Sequence, residues 1–188
     1  MLLRIAVAGA LAALVAGCGP RHVTVYGEGG DYLSYFEGDF EYATRKGAIR
    51  TEVVGLPFQT DPQRLQAVVL ALMSGRNFSR PADFVPANSE RTDPPYKVMV
   101  AFNMAAGHSG YALCRGAQGL TMRGPGNPVT VHMAFCFGDQ LKSDVYGRVG
   151  QISGFDDPKF AELIHETLLS LHPLKDYQRE DDNGTVIP

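Results

Sequence analysis

Much of what this chain can be is limited by what it lacks. It has no dense run of lysine and arginine: 17 basic residues stand against 20 acidic ones in 188, a formal charge of −3. Nucleic-acid surfaces need clustered cations to neutralise phosphate, so no nucleic-acid partner is expected. Beyond the first seventeen residues, no apolar run approaches the roughly 20 residues that a membrane-spanning helix requires. There is no internal repeat and no low-complexity tract. No Cys-x2-Cys knuckle marks a zinc site. No phosphate-binding glycine loop or dinucleotide fingerprint is present, since the Gly-x-Gly at Gly124 and Gly126 carries Pro125 and leads into a strand. The sequence therefore implies neither a metal nor a cofactor. Cysteine is scarce, with 3 in the whole chain, whereas 21 glycines and 12 prolines point to many turns.

The most informative stretch is at the start. Arg4 supplies a positive n-region, and residues 5–16 form an uncharged apolar block of signal-peptide length, too short to span a bilayer. Leu14-Val15-Ala16-Gly17-Cys18 then resembles the lipobox of bacterial lipoprotein precursors. The resemblance implies removal of residues 1–17 and lipidation of Cys18. Each buried methylene contributes roughly 0.8 kcal/mol, so two or more acyl chains anchor a protein stably. The alternatives are an ordinary cleaved signal and an uncleaved helical anchor. Gly19, where an aspartate would retain an enteric-type lipoprotein in the inner membrane, is similar to outer-membrane sorting and implies a periplasm-facing, membrane-anchored protein. Loss of Arg4 with the leader changes the balance to 16 basic against 20 acidic, or −4 over 171 residues. That length suffices for one domain with a real core.

The chain divides into a leader (1–17), a tether (18–30) holding a brief strand at 23–26, one domain (31–175) and a polar tail (176–188). In the domain, Tyr32, Phe36, Phe40 and Tyr42 fall at even spacings and predict an aromatic strand face. The turn Arg45-Lys46-Gly47 leads to a second strand, Ala48–Val54, in a predicted hairpin. Asp61 and Pro62 read as the cap and first residue of a helix carrying Leu65, Val68, Val69, Leu72 and Met73 on one stripe, stopped at Gly75. Asp157 and Pro158 open a second helix bearing Phe160, Leu163, Ile164, Leu168 and Leu171, stopped by Pro173. Strands are predicted at 96–104, 111–115, Val129–Phe137 and 142–149. The first of these places Tyr96, Val98, Val100, Phe102 and Met104 on one face. The fold class that follows is α+β, an antiparallel sheet with two helices packed on one face. Two long connections, 77–95 and 116–128, are candidate contact surfaces, together with the outer face of the sheet.

This layout is similar to small envelope lipoprotein domains for which no activity is established. The matching pieces are residues 61–75, 98–102, 134–147 and 157–173. The segments Arg50-Thr-Glu-Val-Val-Gly-Leu-Pro-Phe58 and Ala134-Phe-Cys-Phe-Gly-Asp139 also resemble pieces of uncharacterised proteobacterial proteins. The resemblance implies no catalytic residues.

With Cys18 assigned to lipid, Cys114 and Cys136 remain, and strand phase puts both opposite the apolar stripes. In an oxidising compartment they are expected to form a disulfide closing about 23 residues, worth roughly 3 kcal/mol in the chain-entropy model. The competing reading joins them with His108 and His132 as zinc ligands. His132 and Cys136, four residues apart on one strand, would then stand roughly 13 Å apart.

Gly107-His108-Ser109-Gly110 is the one catalytic suggestion. It departs from the Gly-x-Ser-x-Gly elbow because Tyr111 follows. Asp31, Glu37, Asp39 and Glu41 form an acidic group that reads most simply as the solvated face of the aromatic strand, with paired-carboxylate chemistry as the alternative. His165 has no partner legible in sequence, and His172 is placed where a cation would suit a helix C-terminus. The expected function is binding or scaffolding of an envelope protein or glycan. An envelope hydrolase using His108 and Ser109 and a small-molecule binding module are the alternatives. A convergent serine, histidine and carboxylate would mark the first, and an apolar cavity between helices and sheet the second.

Overall fold

The computed structural model describes residues 24–26, 37–76, 81–92 and 95–172. The expectations that fall on Cys18, on Asp31, Tyr32 and Phe36, on Pro173 and on the leader and tail lie outside those residues. The chain runs β1 (Thr24–Tyr26), α1 (Glu37–Ala43), β2 (Ala48–Val54), α2 (Pro62–Met73), β3 (Asp83–Pro86), β4 (Tyr96–Phe102), α3 (Gly110–Cys114), β5 (Val129–Phe137), β6 (Gln140–Val149), α4 (Pro158–Leu171). Six strands form one sheet in the order β1-β6-β5-β4-β2-β3. The class is α+β. The sheet is mostly antiparallel, but β2 runs parallel to both of its neighbours, β3 and β4. No described helix is long and apolar enough to cross a membrane.

The two main helices form for the reasons legible in their sequences. Asp61 caps α2 by accepting the Arg64 N–H at 2.8 Å, and Pro62 occupies the first turn, where its missing N–H costs nothing. After Ser74, Gly75 takes φ 72°, the left-handed conformation that ends helices and that glycine adopts without strain. Asp157 caps α4 in the same way through Lys159 N–H at 3.1 Å. Leu65, Val69 and Met73 of α2, and Phe160, Leu163, Ile164, Leu168 and Leu171 of α4, are buried on one face of the sheet against Val98, Val100, Phe102, Val131, Met133 and Phe135. Close docking of α4 relies on Gly147 of β6. A Cβ there would run into the Thr167 hydroxyl and come within 3.0 Å of Leu163 Cδ1.

Three local expectations are corrected. The aromatic segment ends in the helix α1, not a strand: Thr44 N–H and Oγ1 both bond Phe40 O, and Phe40 and Ala43, three apart, turn inward. Among the described residues the predicted hairpin is thus absent, and β2 pairs with β3 and β4. Residues 111–115 form the helix α3 in place of a strand. The 77–95 connection contains the edge strand β3, whose Phe84 and Val85 are buried. A fourth difference concerns Met104. Asn103 takes φ 51°, which breaks the alternation, so Met104 joins the cluster on the opposite face from Val98 and Phe102. The brief strand in the tether is present as β1, paired antiparallel with β6 through Thr24↔Arg148 and Tyr26↔Tyr146.

Candidate functional site

The second face of the sheet carries a smaller cluster: Met99, Ala101, Met104, Ala134, Cys136 and Leu141, covered by Leu113 and Cys114 of α3. A five-residue helix buries little area, and specific ties hold it down. Cys114 and Cys136 are disulfide-bonded with their Cα atoms 5.5 Å apart. The expected bridge is therefore present, although Cys114 reaches it from a helix. Its formation removes both thiolates from the zinc set considered above, and among the described residues no group of three potential ligands gathers.

The second tie was not legible in the sequence. Asp144 of β6 is 3% exposed, and its Oδ2 accepts the Gly110 N–H at 3.2 Å. The same oxygen lies 3.0 Å from Nε2 of His132, itself 2% exposed. Gly110 must be glycine, because a Cβ would collide with the Asp144 carboxylate. The other oxygen, Oδ1, is buried with no hydrogen-bond partner among the described residues. A buried carboxylate oxygen left without a partner is costly, and the closed arrangement under α3 carries that cost against the hydrogen bonds made by Oδ2. The signal was masked by a bulge between Phe135 and Cys136, which shifts the hairpin register and brings Asp144 opposite Ala134.

The His108/Ser109 loop does not assemble a nucleophile. Ser109 is exposed at the start of α3 and makes no side-chain cap hydrogen bond. His108 Nε2 accepts the Thr121 N–H at 3.1 Å, which fastens one long loop to another. Beside it, Asn103 ties three segments together: Oδ1 accepts the Thr130 N–H, and Nδ2 donates to Leu56 O and Gly124 O. Nor do the remaining histidines form a base. His165 Nε2 meets Leu72 O at 3.1 Å, and burial, aided by Arg76, holds its pKa below the ordinary value. His172 is buried, not a solvated cation. Burial lowers its pKa to about 3, and its ring packs 3.8 Å from Phe40 and 5.4 Å from Phe135 between centroids.

At the turn end of β5 and β6 stands a row of aromatic rings. Tyr42 and Tyr96 have centroids 6.0 Å apart, and Tyr96 and Phe137 4.9 Å. Arg45 lies 3.6 Å over Tyr42 and Lys142 5.8 Å over Phe137. Asp39 is drawn into this row instead of being solvated. It accepts from the Tyr96 hydroxyl at 3.1 Å and pairs with Lys142 at 3.2 Å. Burial, with Asp39 close by, pushes the Tyr96 phenol up to about 12. Glu41 is exposed as expected.

A surface groove of about 490 Å³ opens beside the start of α4, lined by Asn127, Gln151, Ile152, Ser153, Asp157 and Lys159. Five of these six residues have polar side chains, Ile152 being the exception.

The sequence matches no protein-family model and no curated protein. Among solved structures, the PelC dodecamer from Paraburkholderia phytofirmans is similar at a TM-score of 0.42 and 14% identity, covering 80% of this chain and 99% of that one. A single-substitution variant of the same PelC gives 0.41 and 14%, covering 80% and 98%.

Proposed function

We propose that this chain is a lipid-anchored envelope protein whose folded domain binds or scaffolds a partner close to the membrane surface. The observation that carries the reading is β1. Thr24 lies only six residues after Cys18 and already belongs to the sheet through β6. Six residues reach at most roughly 20 Å, so a lipid on Cys18 would hold the domain against the bilayer. The Cys114–Cys136 disulfide suits an oxidising compartment. The exposure of Ser109, and its lack of a side-chain hydrogen bond to His108 or His132, weighs for binding over hydrolysis.

The test is the Cys18→Ser variant. Acyl labelling should disappear, and the protein should move from the membrane fraction to the soluble fraction. Retention of label or of membrane association would overturn the anchor. Crosslinking in cells from exposed positions of 81–92 then reads whether a partner is held.

A further inference from the structure

We infer that Met104, Met122 and His108 form a capture site for a soft monovalent metal ion, Cu(I). The inference goes beyond the binding role proposed above and does not depend on the lipid anchor. The two methionines are partners in an isolated antiparallel bridge, which joins the segment just after β4 to the 116–128 connection. The bridge is flanked by Ala105 N–H to Thr121 O at 2.9 Å and Arg123 N–H to Asn103 O at 2.7 Å. Those two bonds make Met104 and Met122 a non-hydrogen-bonded pair. In such a pair the Cα atoms stand roughly 4.5 Å apart and the side chains leave the same face close together. Both side chains pack on the smaller cluster, so both thioethers lie on the face that carries α3.

Asn103 creates this pairing. It is the one non-glycine residue at positive φ among those described. Had the alternation of β4 continued, Met104 would face α2 and α4 together with Val98, Val100 and Phe102. The left-handed turn at Asn103 sets it opposite Met122 instead. A strained residue persists where its surroundings over-determine it, and such residues gather at ligand clamps. Here the Asn103 side chain is bonded to Thr130 N–H, Leu56 O and Gly124 O. The thioether pair is thus held in place before any ion arrives.

His108 brings the third donor. After Gly107, at φ 92°, the chain doubles back, and His108 Nε2 accepts the Thr121 N–H at 3.1 Å. Accepting that bond places the ring's lone pair on Nε2 and points it at the segment that carries Met122. An ion seated by the thioethers takes this lone pair, and the exposed Thr121 N–H turns to water. Met122 and His108 are half-buried, so the ion has a path from solvent. The donor set selects the ion. Thioether sulfur is soft and favours Cu(I), and imidazole suits copper as well. None of the three donors is anionic, whereas Zn²⁺ and Ca²⁺ draw thiolates and carboxylates. Cysteine, histidine and carboxylate side chains do not gather in threes among the described residues, and here two of the three donors are thioethers. Cys114 and Cys136 do not compete for the ion, because they are joined to each other.

The experiment uses the full-length protein in detergent, treated with N-ethylmaleimide so that no free thiol takes up metal. Cu(I) is titrated without oxygen in competition with bicinchoninate. NMR of methyl-labelled methionine with Ag(I), a redox-inert substitute, reads which thioethers bind. One Cu(I) should bind per chain. The methyl signals of Met104 and Met122 and the Thr121 amide should shift, while Met73, buried on the helix-covered face, should not. Met104→Leu and Met122→Leu nearly conserve volume, and His108→Gln keeps an acceptor for Thr121. Each should weaken Cu(I) binding about tenfold or more, with melting curves that match the parent. Met73→Leu should bind as the parent does. The inference is overturned by absence of binding, by unchanged affinity in any of the three site variants, or by equal loss in Met73→Leu. Displacement of the ion by Zn²⁺ would also overturn it, since that would mark an imidazole site without thioether ligands.

Discussion

The two faces of the sheet are built on different principles. One is covered by α1, α2 and α4 and buries 23 apolar residues among those described, most of them large. Among the described residues, the other is covered by α3 and by Leu120 and Met122 of the 116–128 connection, and buries 8, of which four are alanine or cysteine. The first face is held by area, since each fully buried large side chain contributes roughly 1.5–3 kcal/mol. The second has too little area for that. It uses one covalent bond, Cys114–Cys136, and one buried polar contact, Gly110 to Asp144. Where burial runs short, directional ties take over, and they fix α3 in one place.

This contrast can be broken from either side. The largest effect is expected on the helix-covered face. Phe160→Ala removes a fully buried ring that contacts Phe58, Phe102 and Phe155. It should cost about 4 kcal/mol in urea unfolding, spread over the whole domain. The second face should respond differently. Replacing Cys114 and Cys136 by alanine should cost roughly 3 kcal/mol, with hydrogen-exchange protection lost first in α3 and only later in β5. Equal loss of protection in α3 and α4 would show that the two faces are not separate in this sense.

Acid gives a smaller effect that sharpens the comparison. His172 belongs to the helix-covered face, and its pKa falls from 6.5 unfolded to about 3 folded. Between those values the unfolded chain binds the proton and the folded chain does not. Stability from this group is therefore complete above pH 6.5 and falls as pH drops, by at most about 1.4 kcal/mol per unit, until about pH 3. From pH 6.5 to 5 the loss is about 2 kcal/mol, to which His165, also lowered, adds in the same direction. His172→Leu should flatten this slope in equilibrium unfolding measured across pH. A slope unchanged by the substitution would remove His172 as its source.

How far the fold was legible follows from the length and locality of each signal. α2 and α4 could be read nearly to the residue because cap, proline and apolar period agree over three to four turns. The strands β2, β5 and β6 were legible from their alternation or β-branched content. α1 was misread because residues 32, 36 and 40 are four apart, a spacing that is even and also one helical turn. α3 has five residues, too few to display a period. β3 is a short edge strand ending in Pro86, and proline at an edge costs no ladder bond. The parallel pairing of β2 with β4 depends on contacts nearly 50 positions apart, which no local pattern records. In the candidate site, the disulfide followed from a count of cysteines; strand phase holds for Cys136 on β5 but not for Cys114, which lies on α3. The His132–Asp144 pair did not, because one extra residue in a bulge moved Asp144 under the helix.

β1 has a mechanical meaning. Its start points toward Cys18 and its length runs antiparallel along β6. A pull on the chain before Thr24 along the strand axis would load the β1–β6 hydrogen bonds together, in shear, instead of peeling them one by one. The strand has only three residues, so this clip yields before the 32 Å or so of paired β5 and β6 behind it are strained. Were the chain anchored at Cys18 as proposed, tension would be spent on the smallest element of the sheet, and the packed faces behind it would keep their shape.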